Sequence, residues 1–272
     1  MTGVFDEFRA MHRPGDPFVL PNAWDFTSAA ALADAGFRAI GTTSLGVAAA
    51  AGLPDAEGRT RAETYALTRR IGGLPCMVTV DIEGGFSDHP EDVARLAYDL
   101  ASAGAVGVNI EDSRPDGTLA HAEELQARIR AMKRRVPHLF VNARTDTHWL
   151  RPNDPDLRDT IERVRAYRDA GADGVFVPGI VDPVAIRAVV GATDAPLNVL
   201  FMPGRHSITR LADLGVARVS TGSLLFRAAL SATVATARAV AGGEEVCGAL
   251  PSYADVAALV ARARSAPERV VA

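Results

Sequence analysis

LAYDLASAGAVGVNIED, residues 96–112, carries three signals in order. Leu96, Ala97, Leu100 and Ala101 are spaced by three and four, the period of one helix face. Gly104 then marks a helix C-terminus, where a left-handed residue ends the last turn. A short apolar run follows and stops at two carboxylates, Glu111 and Asp112. The same junction recurs as AGFRAIG (35–41), AGADGVF (170–176) and LGVARVS (214–220). It reads each time as helix, glycine, next strand.

Working outward, eight apolar runs qualify as strands. They are FVLPNAW (18–24), FRAIGTTS (37–44), CMVTVDIE (76–83), VGVNIED (106–112), LFVNARTD (139–146), GVFVPG (174–179), LNVLFMP (197–203) and RVSTGS (218–223). Each is bounded by Gly, Pro, Asp or Asn. Helical patterns such as ALADAGF (31–37) and ERVRAYRDAGADG (162–174) lie between them. Alternating strands and helices require a parallel sheet, and eight units close into an α/β fold of the (β/α)8 TIM-type barrel class. An open doubly wound sheet is the alternative; no GxGxxG follows the first strand to support a dinucleotide fold. The barrel is expected over residues 1–241. The remainder, 242–272, reads as a linker and a helix. One extra C-terminal helix is predicted from Leu224 to Ala241. Another, opened by Ser252 with Asp255 three residues later, is predicted to run to about Ala263. A helix beyond the barrel needs a surface to pack on, and a partner subunit is the expected one.

Bulk properties narrow the function classes. The chain has 272 residues, 48% of them apolar, and a net charge of −4. That charge is too mild for a nucleic-acid binder. Cys76 and Cys247 form no CxxC pair, which fits a reducing compartment. The N-terminal MTGVFDEFRAMHRPGD lacks the basic start and apolar run of a signal peptide. No run reaches the length of uninterrupted apolar sequence that a membrane span needs. A cytoplasmic protein without nucleic-acid or membrane partners is the expectation. Lys133 is the only lysine and lies late in a helix, in RAMKRRVP, which leaves no amine for Schiff-base chemistry.

Acidic and polar residues collect at successive strand ends: Asn22 and Asp25, Thr43 and Ser44, Asp81 and Glu83, Glu111 and Asp112, Asn142, Arg144 and Asp146. In a barrel this is the catalytic face. With a strand period of two, Asp81 and Glu83 share a face, and Glu111 ends the next strand about 4.8 Å away. Three converging carboxylates would repel one another, and a hard divalent cation relieves that repulsion. Mg²⁺ needs only one or two direct carboxylates plus waters and substrate oxygens. The plainer reading is that these acids cap helices or pair with Arg144.

The motifs PNAWDFTSAAALADAGFRAIGTTS, GLPDAEG, TVDIEGGF, GAVGVNIEDS, VNARTD, DGVFVPG and RVSTGSLLFRAAL, in this order, resemble the isocitrate lyase/phosphoenolpyruvate mutase superfamily. The match spans about Phe18 to Leu230 and is most like its carboxyvinyl-carboxyphosphonate phosphorylmutase-like members. The resemblance implies a Mg²⁺-dependent enzyme, with Mn²⁺ as a substitute, acting on a 2-oxo acid through its enolate. It implies Asp81, Glu83 and Glu111 as the metal shell and Asp55 as a loop carboxylate near metal and substrate. Thr43, Ser44 and Leu45 would hold the substrate carboxylate by a turn. Arg144 would bind the oxo-acid carboxylate, and Trp24 would be a pocket wall. It also implies a homo-oligomer, dimer or tetramer, with an exchanged C-terminal helix.

The loop after the fourth strand departs from the family. Lyases carry a cysteine there as acid or base, and mutases carry Lys and Asn. This chain reads EDSRPDGTLAHAEEL and has none of the three. Pro178 stands where mutases have a pocket histidine. Arg114, Asp116 and His121 are the loop's remaining candidates, with His121 expected to face solvent near a helix start. The leading expectation is a C–C lyase acting on a small di- or tricarboxylate or 2-oxo acid. The alternatives are a P–C mutase or hydrolase, and a 2-oxo-acid-binding protein with little turnover.

Overall fold

A computed structural model describes residues 2–246 and 248–265. Nine strand segments form one sheet: β1 (Phe18–Leu20), β2 (Asn22–Ala23), β3 (Ala39–Thr42), β4 (Met77–Asp81), β5 (Ala105–Glu111), β6 (Phe140–Arg144), β7 (Gly174–Phe176), β8 (Leu197–Leu200) and β9 (Arg218–Ser220). Their order is β1-β9-β8-β7-β6-β5-β4-β3-β2, with every neighbouring pair parallel. The eight expected strands are present, and the first is split. Pro21 separates β1 from β2 because it has no N–H for a ladder. Its carbonyl still accepts from Gly41 N at 2.8 Å. β1 joins β9 and β2 joins β3, so the sheet curls into a (β/α)8 barrel. Asn22 staples the seam. Its Oδ1 accepts from Thr221 N at 3.0 Å and Gly222 N at 2.9 Å, and its Nδ2 donates to Thr42 O at 2.7 Å.

The helices are α1 (Thr2–Ala10), α2 (Phe26–Asp34), α3 (Ser44–Ala50), α4 (Arg61–Ile71), α5 (Pro90–Ser102), α6 (Ala122–Arg135), α7 (Leu157–Asp169), α8 (Pro183–Ala192), α9 (Ile208–Asp213), α10 (Leu224–Gly242) and α11 (Tyr253–Ser265). Their starts follow the expected chemistry. Asp25 caps α2 through Ser28 N at 2.7 Å, and Ser252 with Asp255 forms the reciprocal box that opens α11. The repeated junction ends on glycine with φ of 88° at Gly36, 100° at Gly104, 104° at Gly171 and 86° at Gly215. That left-handed backbone closes each helix and redirects the chain into the next strand.

Alternate strand residues face opposite sides. Outward, Val78, Val80, Val108, Ile110 and Val141 pack under Val93, Leu96, Leu100 and Ile129 of α5 and α6, and Cys76 lies in the same buried cluster. Val175, Val199 and Val219 do the same under Val164, Ile186 and Val189 of α7 and α8. Cys247 falls outside the described residues. Inward, the barrel is layered. Leu20, Ala39, Met77 and Phe140 form an apolar plug that α1 closes with Phe5 and Phe8. Above it lies a buried polar layer of Asn22, Thr79, Asn109, Asn142, Asn198 and Arg218. Room for it comes from glycines on alternate strands. A Cβ at Gly107 would meet Phe140 O at 2.8 Å and Thr79 Oγ1 at 3.2 Å, and one at Gly174 would meet Asn142 Oδ1 at 3.0 Å.

The C-terminal helices are less covered. α10 buries only Phe226, which meets Trp24 edge-on at 5.4 Å, and exposes Leu230, Val234 and Val240. By length and composition α10 is apolar enough to cross a membrane, with a mean hydropathy of 1.3, although no such run was expected from the sequence. It contains Arg227 and Arg238. α11 was expected on a partner subunit, and here it lies along α2 of its own chain. Arg262 forks onto Asp34 at 3.0 Å through both nitrogens, and Leu259 and Ala263 pack on the outer core.

Candidate active site

The C-terminal strand ends surround a cavity of about 110 Å³ lined by Asn22, Thr42–Leu45, Asp55, Asp81, Asn109, Arg144, Trp149 and Phe176, among others. Asp81 and Arg144 reach it from the ends of β4 and β6. Thr43, Ser44 and Leu45 reach it as the start of α3, where Thr43 makes no side-chain cap. The first N–H groups of a helix have no intrahelical acceptor, so this turn presents donors to an anion. Asp55 comes from the loop between α3 and α4, and its Oδ1 is buried with no partner among the described residues.

Arg144 is held by two carboxylates. Its Nε and Nη2 fork onto Asp146 at 2.6 and 2.9 Å, and Nη1 meets Glu111 at 2.7 Å. Its guanidinium also lies 5.6 Å from the Phe176 ring centroid. Burial alone would lower its pKa; Asp146 and Glu111 more than reverse that and hold it above the ordinary arginine value. The guanidinium has five N–H groups. Three are engaged, leaving one on each terminal nitrogen for a ligand. The resemblance implies Arg144 as the residue that binds the oxo-acid carboxylate, and Asp146 is already seated in its side-on pair.

The carboxylates are buried and mutually repelling. Asp81 is pushed up to about 6, mainly by desolvation, with Asp55 and Glu83 adding repulsion and Arg144 opposing. Glu111 is pushed up to about 8 by desolvation, with Asp146 and Asp81 adding to it and Arg144 opposing.

Glu83 departs from the expected common face with Asp81. β4 ends at Asp81, and Glu83 adopts φ 49°, which breaks the strand period. Its carboxylate accepts from Thr60 Oγ1 at 2.6 Å and Gly58 N at 2.8 Å, fastening the Asp55 loop to the mouth. Glu83 and Glu111 line a neighbouring cavity of about 290 Å³ with Arg114 and Arg128. Asp81 therefore feels the charges of Glu83 and Glu111 but does not share one cavity with them. Among the described residues, no three Asp, Glu, His or Cys side chains are gathered closely enough to hold a metal unaided.

Trp24 is not a lining residue; it backs α3, its Cβ lying where a side chain at Gly46 would go. Trp149, half-exposed just beyond β6, supplies the aromatic wall. The loop after β5 folds as a small hairpin bridged between Ser113 and Leu119. Arg114 pairs with Glu124 at 2.7 Å, Asp116 is exposed and bonded to Thr118, and His121 is the exposed N-cap of α6. None of the three lines the smaller cavity. His206 bridges Met202 N and Ile180 O, a packing role.

Asp112, next to Glu111, points the other way, into the helix layer. Its carboxylate is fully buried and accepts from Tyr167 Oη at 2.7 Å, Arg163 Nη1 at 3.1 Å and Asp146 N at 2.9 Å. It steadies the segment that carries Arg144's partner.

Residues 8–241 match the family model described as phosphoenolpyruvate phosphomutase. A similar protein, uncharacterized, from Mycobacterium tuberculosis (strain ATCC 25618 / H37Rv), is 46% identical over 251 residues, covering 92% of this chain and 95% of that protein. A 2-methylisocitrate lyase of Salmonella typhimurium (strain LT2) is 32% identical over 202 residues, covering 70% of this chain and 67% of the enzyme. The crystal structure of a phosphonopyruvate hydrolase with oxalate and Mg²⁺ matches with a TM-score of 0.82 and 25% identity, covering 96% of this chain and 95% of the other.

Proposed function

The chain belongs to the phosphoenolpyruvate phosphomutase family, and from that premise we propose a Mg²⁺-dependent C–C lyase acting on a compact 2-oxo carboxylate through its enolate. The supporting observation is the single cavity where Asp81, Asp55, Arg144 and the Thr43–Leu45 turn meet. The residues fit a divalent cation. Asp81 is a half-buried, desolvated carboxylate with repelling neighbours, and Asp55 Oδ1 lacks a partner among the described residues. Mg²⁺ needs few direct carboxylates and keeps its waters. Asp81 would hold it, with Asp55, Glu83 and Glu111 around it. Bound there, the ion supplies a Lewis acid that favours negative charge on the oxo oxygen.

The chain's own residues do the rest. The two free N–H groups of Arg144 and the start of α3 orient the substrate carboxylate. Phe176 and Trp149 add apolar surface to the lining. The cavity is smaller than the about 150 Å³ that holds benzene in an engineered core, so its deep part takes the oxo-acid end of the substrate. A longer substrate would extend past Trp149. Among the described residues, no lysine, cysteine or histidine lines this cavity, which favours cleavages that need little acid–base help from the loop. Cytoplasmic operation belongs to the same reading.

A substrate panel of oxaloacetate, 2-methylisocitrate and phosphonopyruvate tests it. Carbon–carbon cleavage that stops on chelation supports the lyase. Turnover of phosphonopyruvate alone, followed by phosphorus NMR, moves the assignment to P–C chemistry. Tight oxalate binding without turnover makes it a binding protein.

Metal-free protein should gain stability as pH falls from about 8 to about 6. Glu111 and Asp81 are pushed up to about 8 and about 6. An unfolded chain has ordinary carboxylates near ~4. The native state therefore binds more protons across this window, and stability declines as pH rises through it. Mg²⁺ must displace those protons, so its stabilising increment is largest at the alkaline end. Melting temperatures with chelator and with Mg²⁺ at several pH values measure this; a flat metal-free profile contradicts it.

The uncovered face of α10 fits a second copy of the chain. Leu230→Glu with Val234→Glu, one turn apart and about half-exposed, should shift the oligomer to monomer in light scattering. An unchanged mass contradicts that face.

A further inference from the structure

Asn109, in the middle of β5, is buried at 4% exposure and lines the floor of the small cavity with Asp81 and Arg144. Its Oδ1 accepts two hydrogen bonds, from Asn142 Nδ2 at 2.9 Å and Arg218 Nη2 at 3.1 Å. Two donors converging on one atom identify it as the amide oxygen, because a reversed amide would set N–H against N–H twice. The amide nitrogen is therefore on the opposite side. Among the described residues it has no acceptor, and it is not enclosed like the buried unpartnered atoms of Asn142, Asn198 and Arg218 in the same layer.

Arg218 is unusual in the same layer. It is fully buried, and among the described residues Nε and Nη1 have no protein partner and its one hydrogen bond goes to Asn109. The Asp81 carboxylate offsets only part of the cost of burying its charge, so a guanidinium bonded to a single amide oxygen is unfavourable as packing alone. Its hydrogen bond to Asn109 accounts for it, because there the guanidinium holds the amide oxygen and leaves the amide N–H groups turned the other way.

We propose that Asn109 is a substrate-contacting donor, giving an Nδ2–H to an oxygen of an anionic oxo acid or dicarboxylate at the cavity floor, and that Arg218 is a positioning residue that fixes the amide. This rests on the oxo-acid reading above. It adds a requirement on the ligand, a third acceptor oxygen pointing down the barrel axis, beyond those met by Arg144 and the α3 turn.

Oxalate titrated into the Mg²⁺-loaded protein by calorimetry tests it. Asn109→Ala should weaken binding about 10- to 100-fold, the loss of one hydrogen bond to a charged acceptor. Asn109→Asp should weaken it further, because an acceptor then faces the anion. Arg218→Met should cost about 10-fold in the parent protein and nothing in the Asn109→Ala background. A purely structural role for Arg218 would cost the same in both and would overturn its assignment. Should Arg218→Met fail to fold, Asn142→Ala removes the other donor to Oδ1 and should weaken binding only while Asn109 is present. Asn109→Ala binding within twofold of the parent overturns the floor contact and leaves the oxo-acid reading intact. A parent protein that binds no oxalate overturns both.

Discussion

Asp81→Ala abolishes Mg²⁺-dependent oxalate binding while leaving the metal-free protein as stable as before, or more so. Substitution of partners that only orient metal ligands typically costs about 10- to 100-fold in affinity, so loss of a direct carboxylate should exceed about 100-fold. The opposite sign on stability follows from burial. Asp81 is held at about 6 because desolvation penalises its charge, so deletion relieves a folded-state cost at neutral pH. The paired measurement is calorimetry with oxalate and thermal melting with and without Mg²⁺. Binding within tenfold of the parent protein would remove Asp81 from the metal site.

Asp112→Ala unfolds the protein at markedly lower temperature without touching the cavity. The substitution strands the Tyr167 Oη proton and Asp146 N and takes from Arg163 Nη1, which keeps Ala120 O at 2.9 Å, its buried counter-charge; the three bonds to this carboxylate are 2.7, 2.9 and 3.1 Å. Removing one partner of a buried charged network costs about 3–5 kcal/mol, on the order of 10 °C for a chain of this size. Asp112→Asn keeps the shape and should lose less. A shift of only a degree or two for the alanine variant would show that Arg163 re-pairs with Asp159, which already takes its Nε at 2.9 Å.

Most of the barrel was legible because its signals are local. Gly36, Gly104, Gly171 and Gly215 announce four helix-to-strand junctions by the left-handed backbone each requires, and Ser252 with Asp255 announces α11. The split at Pro21 was visible in FVLPNAW, although the run reads as one strand until its missing N–H is considered. The site was legible as residue types at strand ends, but not as a geometry. Period-two reasoning puts Glu83 beside Asp81 only while the strand continues; here the chain turns left-handed at Glu83, ahead of the glycine at 85. Pairing of Arg144 with a nearby acid is one reading the sequence allows, but nothing local says that Asp146, two residues on, takes its side-on face. Trp149 and the Asn109 amide were missed for another reason. What each faces is decided by other strands and loops, and no sequence window contains them together.

The fork between Arg262 and Asp34 has a consequence for how copies of the chain can share helices. An α11 that leaves its own α2 and lands on a neighbour's makes identical contacts, so contact energy does not choose between the two arrangements. The choice passes to concentration. The covalent link to α10 holds α11 near its own α2 at an effective concentration of order millimolar, and an exchanged form is favoured only when something else is gained in the same step. The apolar row of Leu230 and Val234 on α10 is placed to supply that gain, which would make helix exchange and burial of that row a single coupled equilibrium.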